Sequence, residues 1–501
     1  MSICTDNSAV CHKKKERFIQ WERCEVMERK VTGCDAANAV IKRVDELIPL
    51  KPLVLDEIPV FTAEDYLERI NLLLELGERE GATHLVVYGD REHYSNMEYL
   101  TGYDPRFEES LLVLSRGKKP MIILGNEGMD YAENIPYDIQ MEQYSTFSLS
   151  GQFRKKVDMI KLFEDAGINS SSCVGVIGWK IFTELDFESY RTTFDLPYFI
   201  VKLLEEAAGE SNLFNASHLM TGHEGVRHQL SAKELILCEI AGTKASRNTL
   251  RVLQNLKPGI SELEASGYLQ IDGAPLSTHP NINFGTHNVC LGLASPTQNK
   301  KLEVGENISV GMAYRRALIH KAGVYANNAE ELSQEYASAV ENQFKDYFCA
   351  VAKWYETVAV GVTGGEVYDA VEGVLGDFAK YGIGLNPGHL SHTDEWTNSM
   401  FNKGNSAKIK SGLSLQCDII AVLPKPKLFI HAEDSLVVGD AKMREEIKML
   451  APAAWERIAT RQKFMREVLK INIPDDIIPT SDLQGVFWPY MADLNTIYTM
   501  K

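Results

Sequence analysis

Three side chains in the C-terminal half of this 501-residue chain have the types that hydrolytic chemistry uses. His389 follows a glycine, Asp418 ends the strand-like segment 412–418, and Glu433 lies in the strand-like segment 432–438. A positioned imidazole with a near-neutral pKa is suited to general base catalysis. Asp418 and Glu433 lie on strands that should converge, and the repulsion between two close carboxylates raises the pKa of one of them. Such a pair acts as acid and base or binds a cationic substrate. We therefore predict that His389, Asp418 and Glu433 are catalytic.

The same three side chains are also candidate ligands for one divalent ion of Mn, Zn or Co. Imidazole nitrogens and carboxylate oxygens are donors that these ions accept, and three or four ligands suffice for a single catalytic ion. The structural alternative is a set of internal hydrogen bonds, or ion pairs with Arg315 or Arg316. Both readings stay open at this stage.

Two further histidines are candidates for binding a substrate. His431 lies two residues before Glu433, so strand alternation places both on the same face. His392 follows His389 closely, together with Asp394 and Glu395. These last three residues line the site or stabilise a loop, and the pattern favours the loop.

Strand and helix signals alternate in the first half of the chain. Thr62 can cap a helix that runs to Gly81, a second helix is predicted from about Phe153 to Ala166, and a third ends near Ala208. Strand-like apolar segments lie at 84–88, 111–114, 121–124 and 174–177. This alternation predicts an α/β domain with a largely covered sheet.

The second half begins with two helix-capping signals and repeats its order of elements. Ser231–Glu234 and Ser261–Glu264 are capping boxes, and the first opens a helix that stops at Pro258. Long helix, short helix and strands then follow one another twice, the second time from about residue 330 to 438. The repeat indicates two pseudo-symmetric α+β halves around a shared crevice.

The order of these segments resembles the creatinase/prolidase/aminopeptidase P family over most of the chain. The segment Asn96–Tyr103 is similar to the signature of the family's N-terminal domain, and 229–258 is similar to the helix that opens its catalytic domain. Gly388-His389, 412–418 and 432–438 resemble its last three metal-ligand segments. The resemblance implies the family's pita-bread fold and a homodimer.

The resemblance also implies that the family's two-metal centre is incomplete. Its metal-dependent members hold two ions with Asp, Asp, His, Glu and Glu. The last three positions carry His389, Asp418 and Glu433, whereas the first is Gly311 and the second is most nearly Asn327. Gly311 offers no side chain and Asn327 is a neutral, weaker donor, so we predict no standard two-metal centre. Asn327 is then expected to bind substrate or to assist a single ion.

The hairpin between the two lost aspartates is predicted to be longer than usual in the family, with Arg315, Arg316, His320 and Lys321 inserted. These basic groups either offset the missing metal charge, with Arg315 binding substrate, or form a solvated hairpin tip.

Creatinase, which uses no metal, is matched only in part. The segment 292–296 has no histidine for a base, Ala329 stands at a glutamate position, and Trp396 stands where a second histidine belongs.

Composition restricts partners and compartment. The net charge of -17 disfavours nucleic acid and anionic membranes as partners. Nine cysteines without a CxxC pair predict reduced thiols, and the N-terminus has no apolar core of the signal-peptide type. We therefore expect a cytoplasmic protein.

The sequence thus predicts an N-terminal extension (1–58), a creatinase-type α/β domain (59–225), an α+β pita-bread domain (226–475) and a tail (476–501). The predicted function is hydrolysis of a C–N bond in a small polar or cationic molecule without the standard two-metal centre. Two alternatives remain: a metallopeptidase for short peptides with one divalent ion, and a non-catalytic binding or structural protein.

Overall fold

The first half of the chain forms a mixed α/β layer, as its alternating apolar segments predict. A computed structural model describes residues 38–501, so residues 1–37 of the predicted extension lie outside the described part. The elements in chain order are β1 (Ala39–Arg43), α1 (Ala63–Arg79), β2 (His84–Gly89), α2 (Ser95–Thr101), β3 (Ser110–Leu114), β4 (Met121–Leu124), α3 (Gly128–Ala132), β5 (Gln140–Gln143), α4 (Met159–Ala166), β6 (Val174–Ile177), α5 (Tyr198–Ala208), β7 (Leu213–Asn215) and α6 (His218–Thr221).

Six of these strands form one sheet in the order β5-β4-β3-β2-β6-β7. Neighbours are parallel except at β2–β3 and β3–β4, which are antiparallel. Apolar side chains pack on both faces of the sheet in two separate clusters. The prediction of a covered α/β sheet is therefore confirmed.

The second half combines long helices with a larger antiparallel sheet. Its elements are α7 (Ala232–Asn255), α8 (Glu262–Ser266), β8 (Asn281–Phe284), α9 (Thr286–Val289), β9 (Asn307–Tyr314), β10 (Ala317–Val324), α10 (Gln334–Glu341), α11 (Gln343–Thr357), α12 (Gly364–Leu375), β11 (His389–Ser391), β12 (Leu413–Cys417), β13 (Ala421–Pro424), β14 (Lys427–Val438), α13 (Ala441–Leu450), α14 (Pro452–Glu467), β15 (Ile477–Pro479) and β16 (Thr496–Met500).

This sheet has the order β11-β12-β14-β10-β9-β8, and β13 and β15 also pair with β14. The long strand β14 thus contacts β10 on one side and β12 on the other, which brings His431 and Glu433 to the middle of the sheet. Helices α7 and α11 contribute to the main apolar core against it. The predicted α+β organisation of this half is confirmed.

Local signals fixed several helix boundaries correctly. The capping boxes predicted at Ser231 and Ser261 open α7 and α8. The helix expected from Phe153 begins only at Met159, where the Asp158 side chain accepts hydrogen bonds from two backbone N–H groups. The long helix expected after residue 330 is interrupted at Asn342, whose backbone is not helical.

The two ends of the described chain pair with each other. Strands β1 and β16 form a two-stranded antiparallel sheet, with Ala39 opposite Met500. The predicted domain boundaries at 58, 225 and 475 stay predictions. Among residues 38–501, none of the helices has the length and apolar character needed to cross a bilayer.

A buried ion-pair network joins α7 to α14 and gives a stability prediction. The Glu239 carboxylate accepts hydrogen bonds from Arg457 at 2.6 and 2.8 Å and from Arg461 at 2.7 Å, and all three side chains are buried. Glu239→Gln is expected to lower the free energy of unfolding by about 3–5 kcal/mol, because it leaves arginine charge buried without its counter-charge. Urea denaturation measures this loss. The control Glu456→Gln, which breaks an exposed pair with Lys51, should cost less than about 1 kcal/mol; equal losses would contradict the prediction.

Candidate active site

A glycine turn aims His389 into the centre of the second sheet. Gly388 has φ of 114°, and a Cβ there would lie 2.7 Å from the carbonyl oxygen of Gln416, so only glycine fits. The preceding carbonyl, of Pro387, accepts a hydrogen bond of 2.7 Å from the Trp354 indole. His389 pairs with Gln416 at the start of β11, and its side chain is fully buried.

Three carboxylates surround the Nε2 atom of His389. Glu395 Oε1 lies at 3.2 Å, and Asp418 Oδ2 and Glu433 Oε1 each lie at 3.7 Å. Nε2 is buried, yet it makes no well-aligned hydrogen bond. Nδ1 lies 3.2 Å from the Leu390 carbonyl oxygen, which can only accept, so Nδ1 carries a proton. Nε2 therefore points into a space that three carboxylate oxygens share.

Trp396 covers the imidazole of His389 on one side. The two rings stack with centroids 3.9 Å apart and planes 18° from parallel. Trp396 is 36% exposed and the Glu395 side chain is 28% exposed, whereas His389 is not exposed at all. The cluster therefore faces solvent through Glu395 and Trp396.

Asp418 and Glu433 meet as predicted, since β12 and β14 are neighbours. Cys417 pairs with Asp434, which places the following Asp418 beside Glu433. The second oxygen of Asp418, Oδ1, lies 2.6 Å from Nε2 of His431, so this histidine orients the carboxylate. His431 Nδ1 lies in turn 2.7 Å from Nδ1 of His320. The hypothesis that His431 shares a face with Glu433 agrees with this arrangement.

Burial and neighbouring charge shift two pKa values in the cluster. Burial alone lowers the pKa of His389, but the contacts with Glu395 and Glu433 and the charge of Asp418 outweigh it and raise that pKa to about 10. Burial and the nearby Asp418 charge hold the pKa of Glu433 well above its usual range. Without a metal, His389 is thus an imidazolium at neutral pH, which disagrees with the near-neutral base expected from the sequence.

The raised pKa of His389 predicts a pH dependence of stability in the metal-free protein. A group whose folded pKa exceeds its unfolded value of 6.5 stabilises the fold fully below pH 6.5 and loses that contribution as pH rises toward about 10. The groups facing His389 are Glu395, Asp418, Glu433 and Trp396. We expect the Tm of the metal-free protein to fall more steeply between pH 6.5 and 10 than that of His389→Gln. Parallel curves in thermal melts would contradict this assignment.

The ring of His320 lies against Gly311, the position that the sequence resemblance matched to the first aspartate of the family. Gly311 on β9 pairs with His320 on β10, and His320 pairs with Glu433 on β14. A Cβ at Gly311 would lie only 2.3 Å from Cδ2 of His320. The histidine ring therefore fills the space that a side chain at position 311 needs.

The turn between β9 and β10 has two residues and is largely covered, which corrects the predicted solvated hairpin tip. Tyr314 pairs with Ala317, so only Arg315 and Arg316 form the turn. His320 and Lys321 lie within β10 rather than at an inserted tip, and their side chains alternate across the sheet. Lys321 binds Asp434 at 2.6 Å on the face opposite His320.

Three residues predicted to bind substrate have their contacts outside this cluster. Asn327 is exposed beyond the end of β10 and binds Glu331 within a local turn. Arg315 binds Glu98 and Asp104 and stacks over Tyr94. His392 is buried between Glu234 and Arg227 and packs edge-on against Tyr99. Tertiary pairing with the first half of the chain, which spacing does not reveal, explains the last two corrections.

The sequence analysis favoured a loop role for Glu395, left His320 between charge compensation and a hairpin tip, and gave no role to Gln416. Glu395 was assigned to a loop, although the loop returns it to His389. Both polar side-chain atoms of Gln416 are buried without a hydrogen-bond partner, on a residue directly opposite His389. Gln416 lies two residues before Asp418, so strand alternation places both side chains on the same face. This spacing was the sequence feature that could have identified Gln416.

The cluster contains two groups of side chains that could hold a divalent ion. His389, Glu395 and Glu433 form one group of ligand atoms within 4.8 Å of one another, and Asp418, His431 and Glu433 form another. Glu433 belongs to both groups, so the two groups lie side by side. A side chain at position 311 would collide with the ring of His320, so this position adds no ligand to either group.

Comparison with known proteins identifies the fold. No protein-family model matches the sequence, and no curated protein matches it. Among solved structures, the prolidase of Pyrococcus horikoshii OT3 is 14% identical, with a TM-score of 0.58, over 74% of this chain and 95% of the prolidase. Dipeptidase PepE of Mycobacterium ulcerans is 18% identical, with a TM-score of 0.58, over 76% and 95% of the two chains. Aminopeptidase PepP of Pseudomonas aeruginosa is 15% identical, with a TM-score of 0.55, over 80% and 100%.

These likenesses show that the chain has the pita-bread fold preceded by an α/β domain, as the sequence resemblance implied. At 13–18% identity they show the fold alone.

Proposed function

We propose that this pita-bread protein is a hydrolase that cleaves a C–N bond with the help of one divalent ion at the His389 cluster. The observation that carries the proposal is the Nε2 atom of His389, which is buried, lacks a hydrogen bond and faces three carboxylates at 3.2–3.7 Å. Donor atoms about 2.1 Å from a tetrahedral ion lie about 3.4 Å from one another. The distances around Nε2 therefore match the edges of such a coordination shell.

Side chains of the cluster would bind the ion directly or orient a ligand. His389, Glu395 and Glu433 would hold the ion, with Glu395 on the exposed side, and Asp418 is a further candidate ligand. The hydrogen bond from His431 fixes Oδ1 of Asp418 and leaves Oδ2 facing His389. When bound, a divalent ion lowers the pKa of a water molecule and polarises the carbonyl of a substrate.

The negative charge of the three carboxylates supports a small cationic or polar substrate, including a short peptide with a free amine. Within the described part of the chain, the ion pairs of Asp418 and Glu433 are with histidines alone, and those of Glu395 are with His389. Nearby basic groups are neutralised elsewhere: Lys321 by Asp434 and Arg227 by Asp394. One divalent ion and a positively charged group would together offset the remaining negative charge.

A non-catalytic ligand-binding protein is the second candidate, and the burial of the site favours it. His389, Asp418 and Glu433 are almost completely buried, and Trp396 stacks on His389. A polar ligand would also satisfy the unpaired amide of Gln416.

Metal content measured by plasma mass spectrometry tests the proposal first. Protein dialysed with Mn, Zn or Co is expected to retain about one ion per chain, and the loaded protein is expected to hydrolyse proline-containing dipeptides or small amides and guanidino compounds. Absence of metal binding overturns the metal-dependent hydrolase. One ion together with saturable ligand binding, but no turnover of these compounds, would favour the second candidate.

We further propose a cytoplasmic homodimer. Cys173, Cys238, Cys290 and Cys417 form no disulfides, which supports a reducing compartment. The homodimer is the assembly that the sequence resemblance implies. Sedimentation velocity measures the mass.

A further inference from the structure

We propose that Arg227 and Asp394 are positioning residues, through which helix α2 of the N-terminal half holds Glu395 and Trp396 against His389. The effect expected on metal binding rests on the proposed function. The positioning itself is a separate claim about the loop at residues 392–396, which connects the two halves of the chain at the site.

The loop has few backbone hydrogen bonds of its own. Its base is closed where Leu390 and Asn398 form an isolated bridge and the Thr397 N–H donates to the Leu390 carbonyl. Within the tip, the His392 N–H donates a backbone hydrogen bond of 3.0 Å to the Asp394 carbonyl. Side-chain contacts must therefore fix the tip, which is where Glu395 and Trp396 lie.

Asp394 is the main anchor of the tip. Its Oδ2 atom accepts a hydrogen bond of 2.5 Å from Nη2 of Arg227, and its Oδ1 atom accepts one from the Ser95 hydroxyl. Arg227 is almost fully buried, and its Nη1 donates to the Asn96 side-chain oxygen at 2.7 Å. Ser95 and Asn96 are the first two residues of α2, so both oxygens of Asp394 are tied, directly or through Arg227, to the start of one helix.

His392 provides a second anchor on the same side. Its Nδ1 accepts a hydrogen bond of 3.4 Å from Nη2 of Arg227, and its ring packs edge-on against Tyr99 of α2, with centroids 5.4 Å apart. The Tyr99 hydroxyl donates to the Val226 carbonyl, next to Arg227. The loop is thus held at two residues by the same helix and the same short segment before α7.

The anchors determine the geometry of the cluster because Glu395 directly follows Asp394. Glu395 is the carboxylate nearest to Nε2 of His389, at 3.2 Å, and Trp396 stacks on the same imidazole. Release of Asp394 would let the tip move and would separate both side chains from His389. Partners outside the ligand shell commonly change metal affinity by about 10- to 100-fold.

The test uses Asp394→Asn and the milder Ser95→Ala, with Glu98→Gln as the matched control. Glu98 also lies on α2 and also crosses to the second half of the chain, but it binds Arg315 and Arg316 in the β9–β10 turn. Two readouts are measured on the full chain: the ¹⁹F NMR signal of fluorotryptophan at Trp396, assigned with Trp396→Phe, and the dissociation constant for Zn²⁺ or Mn²⁺.

We expect Asp394→Asn and Ser95→Ala to shift the Trp396 signal, and Asp394→Asn to weaken metal binding about tenfold or more. Glu98→Gln should leave both unchanged. The inference is overturned if Ser95→Ala and Asp394→Asn leave the Trp396 signal in place, or if Glu98→Gln moves it as far. Should Asp394→Asn fail to fold, Ser95→Ala decides. If the wild type binds no metal, the proposed hydrolase fails, and the Trp396 signal alone still decides the positioning.

Discussion

Alanine at position 389 is expected to abolish metal binding and to lower kcat/KM by about 1,000-fold or more. This loss exceeds the roughly 10- to 100-fold loss that is typical of residues that only orient metal ligands. His389 is the side chain around which Glu395, Asp418 and Glu433 converge. Its removal leaves three carboxylates without the imidazole between them. Isothermal titration with Zn²⁺ or Mn²⁺ and hydrolysis assays measure the two losses.

His287→Ala is the matched control, because this histidine is exposed and belongs to neither ligand group. Its metal content and activity should equal those of the wild type. Circular dichroism and a thermal melt establish that His389→Ala is folded. A folded His389→Ala protein that keeps its ion or its turnover would show that the reaction takes place elsewhere.

Aspartate at position 311 is expected to destabilise the protein by about 3 kcal/mol or more. The new Cβ would overlap the ring of His320, at 2.3 Å from its Cδ2 atom, and a carboxylate would be added to a buried acidic cluster. Urea denaturation of Gly311→Asp measures the loss. A variant as stable as the wild type would show that the His320 ring does not fill this place.

The double variant Gly311→Asp/His320→Asp tests whether His320 is what excludes a second ion. It removes the clash and places two carboxylates in register with Glu433 across β9, β10 and β14. We expect it to bind about two ions per chain, whereas the single variant His320→Asp should retain about one. A double variant that is folded and still binds one ion would assign the loss of the second position to another cause.

Much of the fold was predictable because it depends on local signals. Ser231 and Ser261 were identified as helix caps from the glutamate three residues later, a pattern that satisfies backbone donors within one turn. Strands β2, β3, β4 and β6 were predicted from short apolar segments. The pairing of Asp418 with Glu433 was predicted from two strand-like segments that were expected to converge, and β12 and β14 are neighbours.

The sequence by itself determined the fold, the helix caps and three members of the cluster, His389, Asp418 and Glu433, since these depend on local spacing and on segment order. Only the tertiary structure decided the rest. Strand register placed His320 in the space of Gly311, and contacts between Asp394 and the distant Arg227 and Ser95 returned Glu395 to the site. Register and long-range side-chain pairing depend on how separate elements pack, and residue spacing within one element does not specify them.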